Sequence, residues 1–179
     1  MKRKIAITNL IYAGVFILLI AFDRLTKQLA IKYLVKGVAG TNVFQTREIE
    51  IIPNVFSLHY LENKGAAWGL FQNALWLFII ITIVVVVAML YFYSHLPFEK
   101  RYHLLRVSII ILSAGAIGNF IDRIVWRYVV DFLYFKLIDF PVFNVADCYV
   151  CVAAVLLLYC LLFKYKDEDF FGKRRNRAD

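Results

Sequence analysis

Ala74–Tyr93 runs for 20 residues without a single charged side chain. Nothing else constrains this chain as strongly, because a helix of about 20 apolar residues matches the hydrocarbon thickness of a bilayer. Three further blocks resemble it. Ile5–Phe22 is interrupted only by Thr8, Asn9 and Gly14, and Leu104–Ile121 carries Arg106 near its start and Asn119 near its end. The block Asn144–Phe163 holds Asp147. The chain has 179 residues, of which 62% are hydrophobic and 19% charged, too apolar a mixture for a soluble domain. The blocks predict an all-α membrane protein. A single integral membrane domain over residues 1–179 has spans at about 5–22, 74–93, 104–121 and 144–163, with long connections at 23–73 and 122–143. The Val and Ile content of the second and fourth spans does not argue for strands, since in lipid only helices and closed barrels satisfy the backbone.

Lys2-Arg3-Lys4 ahead of an apolar run has the look of a secretory signal. No A-x-A-like cleavage site precedes Asp23, however, which favours a retained first span. Twelve basic residues fall in the two tails and around the loop after the second span; nine are spread over the two long connections. Basic residues concentrate on the cytoplasmic side of membrane proteins. Both termini are therefore expected in the cytoplasm and both long connections outside. The net charge of +8 is read as this orienting excess plus attraction to anionic lipid headgroups. No soluble basic face suits nucleic acid.

The first connection opens as a helix continuing from the first span. Arg24, Lys27, Lys32 and Lys36 alternate there with Leu25, Leu29, Tyr33 and Leu34, as in an interfacial helix, and Gly37 and Gly40 end it. Ile49, Ile51 and the alternating run Val55–Leu61 then predict short strands, a small extracytoplasmic β cradle. In Asn63–Gly69 the small residues permit a tight turn and close approach to another chain.

Polar residues in or beside spans are costly and point to function. Here they gather at one depth. Asp23 ends the first span, Asn119 and Asp122 end the third, and Asn144 and Asp147 open the fourth. Each Asn-x-x-Asp pair shares a helix face. Asp122 precedes Arg123, which predicts a paired, structural acid. Asp131 lies among Val129, Val130, Phe132, Leu133 and Tyr134, where poor hydration favours the neutral carboxyl. Asp147 falls in the first turn of a helix, where the dipole favours the anion. Two carboxyls in contrasting settings suit acid–base work on a water that attacks an amide. An acid that merely closes a loop by hydrogen bonding explains Asp131 equally well at this level.

Other chemistries find less support. Ser57, Ser94, Ser108 and Ser113 lie in no nucleophile motif, and His59, His95 and His103 are too scattered for a metal site. Cys148-x-x-Cys151 is open to a metal or redox reading, although small polarisable residues in an apolar helix account for it more simply. A proton relay through Asp23, Asp122, Asp131 and Asp147 is a second functional reading. Its weakness is that these acids gather at one interface instead of crossing the bilayer.

Five blocks together resemble the lipoprotein signal peptidase (signal peptidase II) family. They are Asp23–Lys27, Asn63–Trp68, Gly115–Arg123, Val129–Phe132 and Phe143–Asp147, in that order between four spans. The resemblance implies a membrane aspartyl endopeptidase of the bacterial cytoplasmic (inner) membrane, free of metal and cofactor. It implies cleavage of prolipoproteins just before a diacylglyceryl-modified cysteine, with Asp131 and Asp147 as the catalytic dyad. Supporting roles are implied for Asp23, Lys27, Asn63, Gly65, Asn119, Asp122, Arg123 and Asn144. Globomycin-type inhibitors follow from the same likeness; membrane lipid is an expected partner on composition and charge, and a monomer is expected. Trp68 stands where many relatives have Phe, and Asp131 and Asp147 lie only 16 positions apart; both bear on the shape of the pocket.

Overall fold

The computed structural model describes residues 2–37, 44–65 and 74–165. Four helices match the four apolar blocks: α1 (Lys2–Leu34), α2 (Leu75–His95), α3 (His103–Trp126) and α4 (Val145–Tyr159), the last continued by a wide turn at Cys160–Lys164. Each is long and apolar enough to cross a membrane. Their outer faces carry the large apolar side chains that a soluble protein would bury. Leu10 is 73% exposed and Trp76 68%, and in α2 only Ile79 is buried. Such faces are covered by hydrocarbon. Central α3 takes α1, α2 and α4 against its flanks.

The contact between α3 and α4 depends on missing side chains. A Cβ on Gly115 would lie 2.5 Å from the Ala146 carbonyl oxygen, and one on Gly118 would lie 2.6 Å from Asp23 Oδ2. Small residues at that spacing let membrane helices approach backbone to backbone. At the far end of the bundle Arg106, buried in α3, donates to the carbonyls of Leu96 (2.6 Å) and Pro97 (3.3 Å) and stacks on Tyr93 and Phe98. It thereby satisfies carbonyls just past the end of α2, which in lipid have no water to turn to.

Two small antiparallel sheets complete the fold. β1 (Val35–Gly37) pairs with β2 (Phe44–Thr46). β3 (Glu48–Ile52), β4 (Phe56–Asn63) and β5 (Val129–Tyr134) form a sheet in the order β3-β4-β5. β3 and β4 correspond to the predicted cradle; β5 comes from the second connection and had not been foreseen as a strand. Its residues Val129–Phe132 are all buried, so no polar–apolar alternation marks it. A bulge in β4 between Leu58 and Leu61 brings Leu61 opposite Asp131. The sheet packs on the end of α1 through Ala30, Leu34, Tyr60, Val130 and Phe132.

α1 is one continuous helix, as expected for a first connection that continues helically from the first span, and Asp23 lies about three turns before its end. Two details differ from expectation. Lys27 is fully buried and Lys36 belongs to β1; neither lies on a solvated helical face. α3 runs on to Trp126, so Asn119 and Asp122 sit inside it, not at its end. Gly40, Ala66–Gly69 with Trp68, and the basic tail after Tyr165 lie outside the described residues.

Gly115→Ala is expected to push α4 off α3 and to cost about 1–3 kcal/mol of stability. The check is a lowered unfolding midpoint in detergent, with Gly14→Ala, which meets no atom within 4 Å, as the unaffected comparison.

Candidate active site

Lys27 organises the polar end of the bundle. Its Nζ lies 2.9 Å from Asp23 Oδ2, from Asp122 Oδ2 and from Asn119 Oδ1. An ammonium has three donors, and three acceptors surround this one, with no exposed surface left on the residue. Asp122 also accepts from Arg24 Nη1 and, at 3.2 Å, from the Val130 amide of β5. Asp23 accepts from the Ala146 amide at the start of α4 (3.0 Å). Two carboxylates and two cations thus neutralise one another where α1, α3, α4 and β5 meet. Asp122 is paired as expected, but with Arg24 and Lys27 instead of Arg123. Neighbours in a helix point about 100° apart, and Arg123 turns to stack on Phe78 of α2.

The other two acids are held differently. Asp147 is the third residue of α4, and Asn144 is its N-cap. Asn144 Oδ1 accepts from the Asp147 amide (3.1 Å) while Asp147 Oδ2 accepts from the Asn144 amide (3.0 Å), a reciprocal capping box. Asp147 Oδ1 accepts from Asn119 Nδ2 at 2.7 Å. Across from it, Asp131 Oδ1 accepts from Asn144 Nδ2 (2.6 Å) and Oδ2 from Asn63 Nδ2 (2.8 Å). Asn63 Oδ1 is fixed in turn by the Gly65 amide. Asn144 Nδ2 also reaches Asn119 Oδ1 at 3.1 Å. Among the described residues, then, every donor to these two carboxyls is a neutral amide. The asparagines link the pair to one another and, through Asn119, to Lys27.

Both acids line a cavity of about 390 Å³. Its polar side is Asn63, Asn119, Arg123, Asp131 and Asp147; its apolar side includes Phe78, Val142 and Phe143. Asp131 is 1% exposed. Its burial, and secondarily the nearby charge of Asp147, push its carboxyl up from the usual range to about 7. The Asn63 and Asn144 hydrogen bonds and the Lys27 charge oppose this shift without cancelling it. The predicted poor hydration of Asp131 is thus realised, by the sheet and the cavity wall instead of a loop. Among the described residues, no group of three or more His, Cys, Asp or Glu is arranged to hold a metal.

The ten residues that the resemblance implied lie together here: Asp23, Lys27, Asp122 and Asn144 behind the cavity, and Asn63, Gly65, Asn119, Arg123, Asp131 and Asp147 on it. Arg24 was missed as a partner. Its spacing of one residue from Asp23 concealed that it reaches Asp122 on another helix. Cys148 and Cys151 also line the cavity, a placement their spacing alone did not disclose.

Four candidate spans with a carboxyl-lined cavity at one end of the bundle make this a membrane-integral protein with a candidate acid–base site, and comparison with known proteins gives the particular kind. Residues 15–163 match the family described as signal peptidase (SPase) II. The lipoprotein signal peptidase of Streptococcus pyogenes serotype M1 is 36% identical over 174 residues, 95% of this chain and 99% of its own. That of serotype M5 (strain Manfredo) is 35% identical over the same span. A bacterial membrane enzyme solved in meso at 2.3 Å superposes with a TM-score of 0.69 at 30% identity, covering 94% of each chain. A second, at 1.9 Å, gives 0.66 at 31%, covering 86% of this chain and 94% of the other. The chain belongs to the signal peptidase II family.

Replacing Lys27 by Met leaves Asp23 and Asp122 buried without their shared cation, which should cost about 3–5 kcal/mol. The unfolding midpoint in detergent should fall steeply, while Lys32→Met, at an exposed position, should leave it nearly unchanged.

Proposed function

We propose that the protein cleaves prolipoproteins just before their diacylglyceryl-modified cysteine, by means of a water held between Asp131 and Asp147. The observation that carries this reading is the contrast among four acids, of which Asp23, Asp122 and Asp131 are buried and Asp147 is partly buried on the cavity wall. Asp23 and Asp122 are tied to cations, whereas Asp131 and Asp147 receive only amide N–H bonds among the described residues. Nothing locks the second pair in one protonation state, so one proton is shared and available.

In the resting site the pair holds that single proton. The ionised member takes a proton from the water as oxygen attacks the scissile carbonyl carbon. The protonated member donates to the carbonyl oxygen as it becomes tetrahedral. Collapse then expels the amine, which is protonated by the acid that took the water's proton, while a hydroxyl of the intermediate returns its proton to the other acid and restores the shared proton. Asn63, Asn119 and Asn144 hold the carboxyls in place, and Arg123 lies on the same cavity wall, where its charge favours a developing oxyanion. Lys27, Asp23 and Asp122 fix the elements that carry the pair.

The protein acts as one membrane domain with both termini cytoplasmic and this end of the bundle outside, the orientation that its basic residues favour. The site then meets a membrane-anchored substrate at the depth of its lipidated cysteine, and the acyl chains stay in the bilayer. Withdrawing them would cost roughly 0.8 kcal/mol per CH₂. Globomycin-type cyclic peptides should compete for the cavity, and a monomer suffices because every residue of the site comes from one chain.

Asp131→Asn or Asp147→Asn should lower cleavage of a diacylglyceryl-modified prolipoprotein by at least about 10²–10⁴-fold in protein that still inserts and purifies; full activity in either variant would remove the assignment. The pH profile offers an independent check. The Asp131 carboxyl keeps its proton up to about pH 7, so raising the pH past that point ionises both acids and removes the proton donor. Plotted against pH, kcat/KM should fall about tenfold per unit above that value, and a flat profile from pH 6 to 9 would contradict the shared proton.

A further inference from the structure

We propose that Cys148 and Cys151 form a covalent-modification site within the substrate cavity, where a small uncharged thiol-reactive electrophile blocks cleavage. The proposal rests on the reading of this cavity as the place where substrate binds.

Both thiols are free, and both line the cavity. They stand one turn apart on α4, and Cys151 shares a helix face with Asp147 four residues before it. Cys151 is exposed and Cys148 half-buried, so the sulfurs can be reached. The cavity lining also includes Phe78 and Phe143, which favours an apolar, uncharged reagent over a charged one. An adduct on either sulfur fills space beside Asp147 that the substrate backbone must occupy. Cys160, the remaining thiol, is fully buried among Tyr102, Leu105, Ile109 and Tyr165 in a separate cluster. It serves as an internal comparison.

The chemistry is an addition to an activated alkene such as a maleimide. The thiol gives its proton to water, and the thiolate sulfur bonds to one alkene carbon. The displaced π pair moves to the carbon beside the carbonyl, which takes a proton from water. A thioether forms, nothing leaves, and no oxidant or reductant is needed.

The test treats the full-length enzyme, reconstituted in liposomes, with N-ethylmaleimide. Cleavage of a diacylglyceryl-modified prolipoprotein is then followed, each protein being compared with its own untreated rate. The wild type should lose at least tenfold, with the adduct mapped by mass spectrometry to Cys148 or Cys151. The Cys148→Ser/Cys151→Ser double variant should keep its own rate within twofold, and Cys160→Ser should remain as sensitive as wild type. Saturating prolipoprotein should slow labelling of the wild type, a readout that holds even if the double variant fails to insert. Fully labelled enzyme with an unchanged rate, absence of an adduct at both positions, labelling indifferent to substrate, or equal inactivation of the double variant would overturn the proposal. These results bear on the thiols alone, whereas an active Asp131→Asn variant would instead remove the dyad.

Discussion

One buried ammonium determines how the functional end of this protein is put together. Lys27 donates to Asn119 Oδ1 and forms ion pairs with Asp23 and Asp122. Burying a charge in a membrane protein is costly unless it is paired and its hydrogen bonds are complete. That condition is met only when α1 and α3 are in register. Asp122 then reaches the Val130 amide of β5 and Asp23 reaches the Ala146 amide of α4. A single ionic cluster therefore sets the mutual position of the two elements that carry Asp131 and Asp147. The helix contacts alone would not do so, since apolar side chains gain little by leaving lipid for one another.

The same cluster divides the acids by chemistry. Asp23 and Asp122 lie beside cations and tie helices together. A carboxyl held only by neutral amides, at a buried site, keeps its proton within reach of neutral pH. Asn144 couples the two regimes. Its carbonyl oxygen caps α4, and its amide nitrogen reaches both Asp131 and Asn119. With its side-chain oxygen and both amide hydrogens committed to three hydrogen bonds, it has no freedom to turn, and the two carboxyls inherit that rigidity. Gly118 contributes by what it lacks, since a methyl there would occupy the place of the Asp23 carboxylate.

The spans were legible because length and apolarity report directly on the bilayer. The site residues were legible as a set because polar groups at one depth of an apolar bundle have little alternative but to meet. Other features were hidden for identifiable reasons. β5 is buried along its whole first half and shows no alternation. The partner of Asp122 is on another helix, so the neighbouring Arg123 misled. The burial of Lys27 was hidden because its alternation with apolar residues in the helix after Asp23 looked like a solvated interfacial face.

The sequence by itself determined a four-span membrane protein and a small group of polar residues gathered at one depth, because hydropathy and residue type are local properties. Only the tertiary structure decided which acid meets a cation and which meets an amide. It also brought two cysteines of α4 onto the cavity wall. Those outcomes depend on how four helices and a strand approach one another, and distances between elements far apart in the chain are fixed by packing and by buried charge, not by spacing along it.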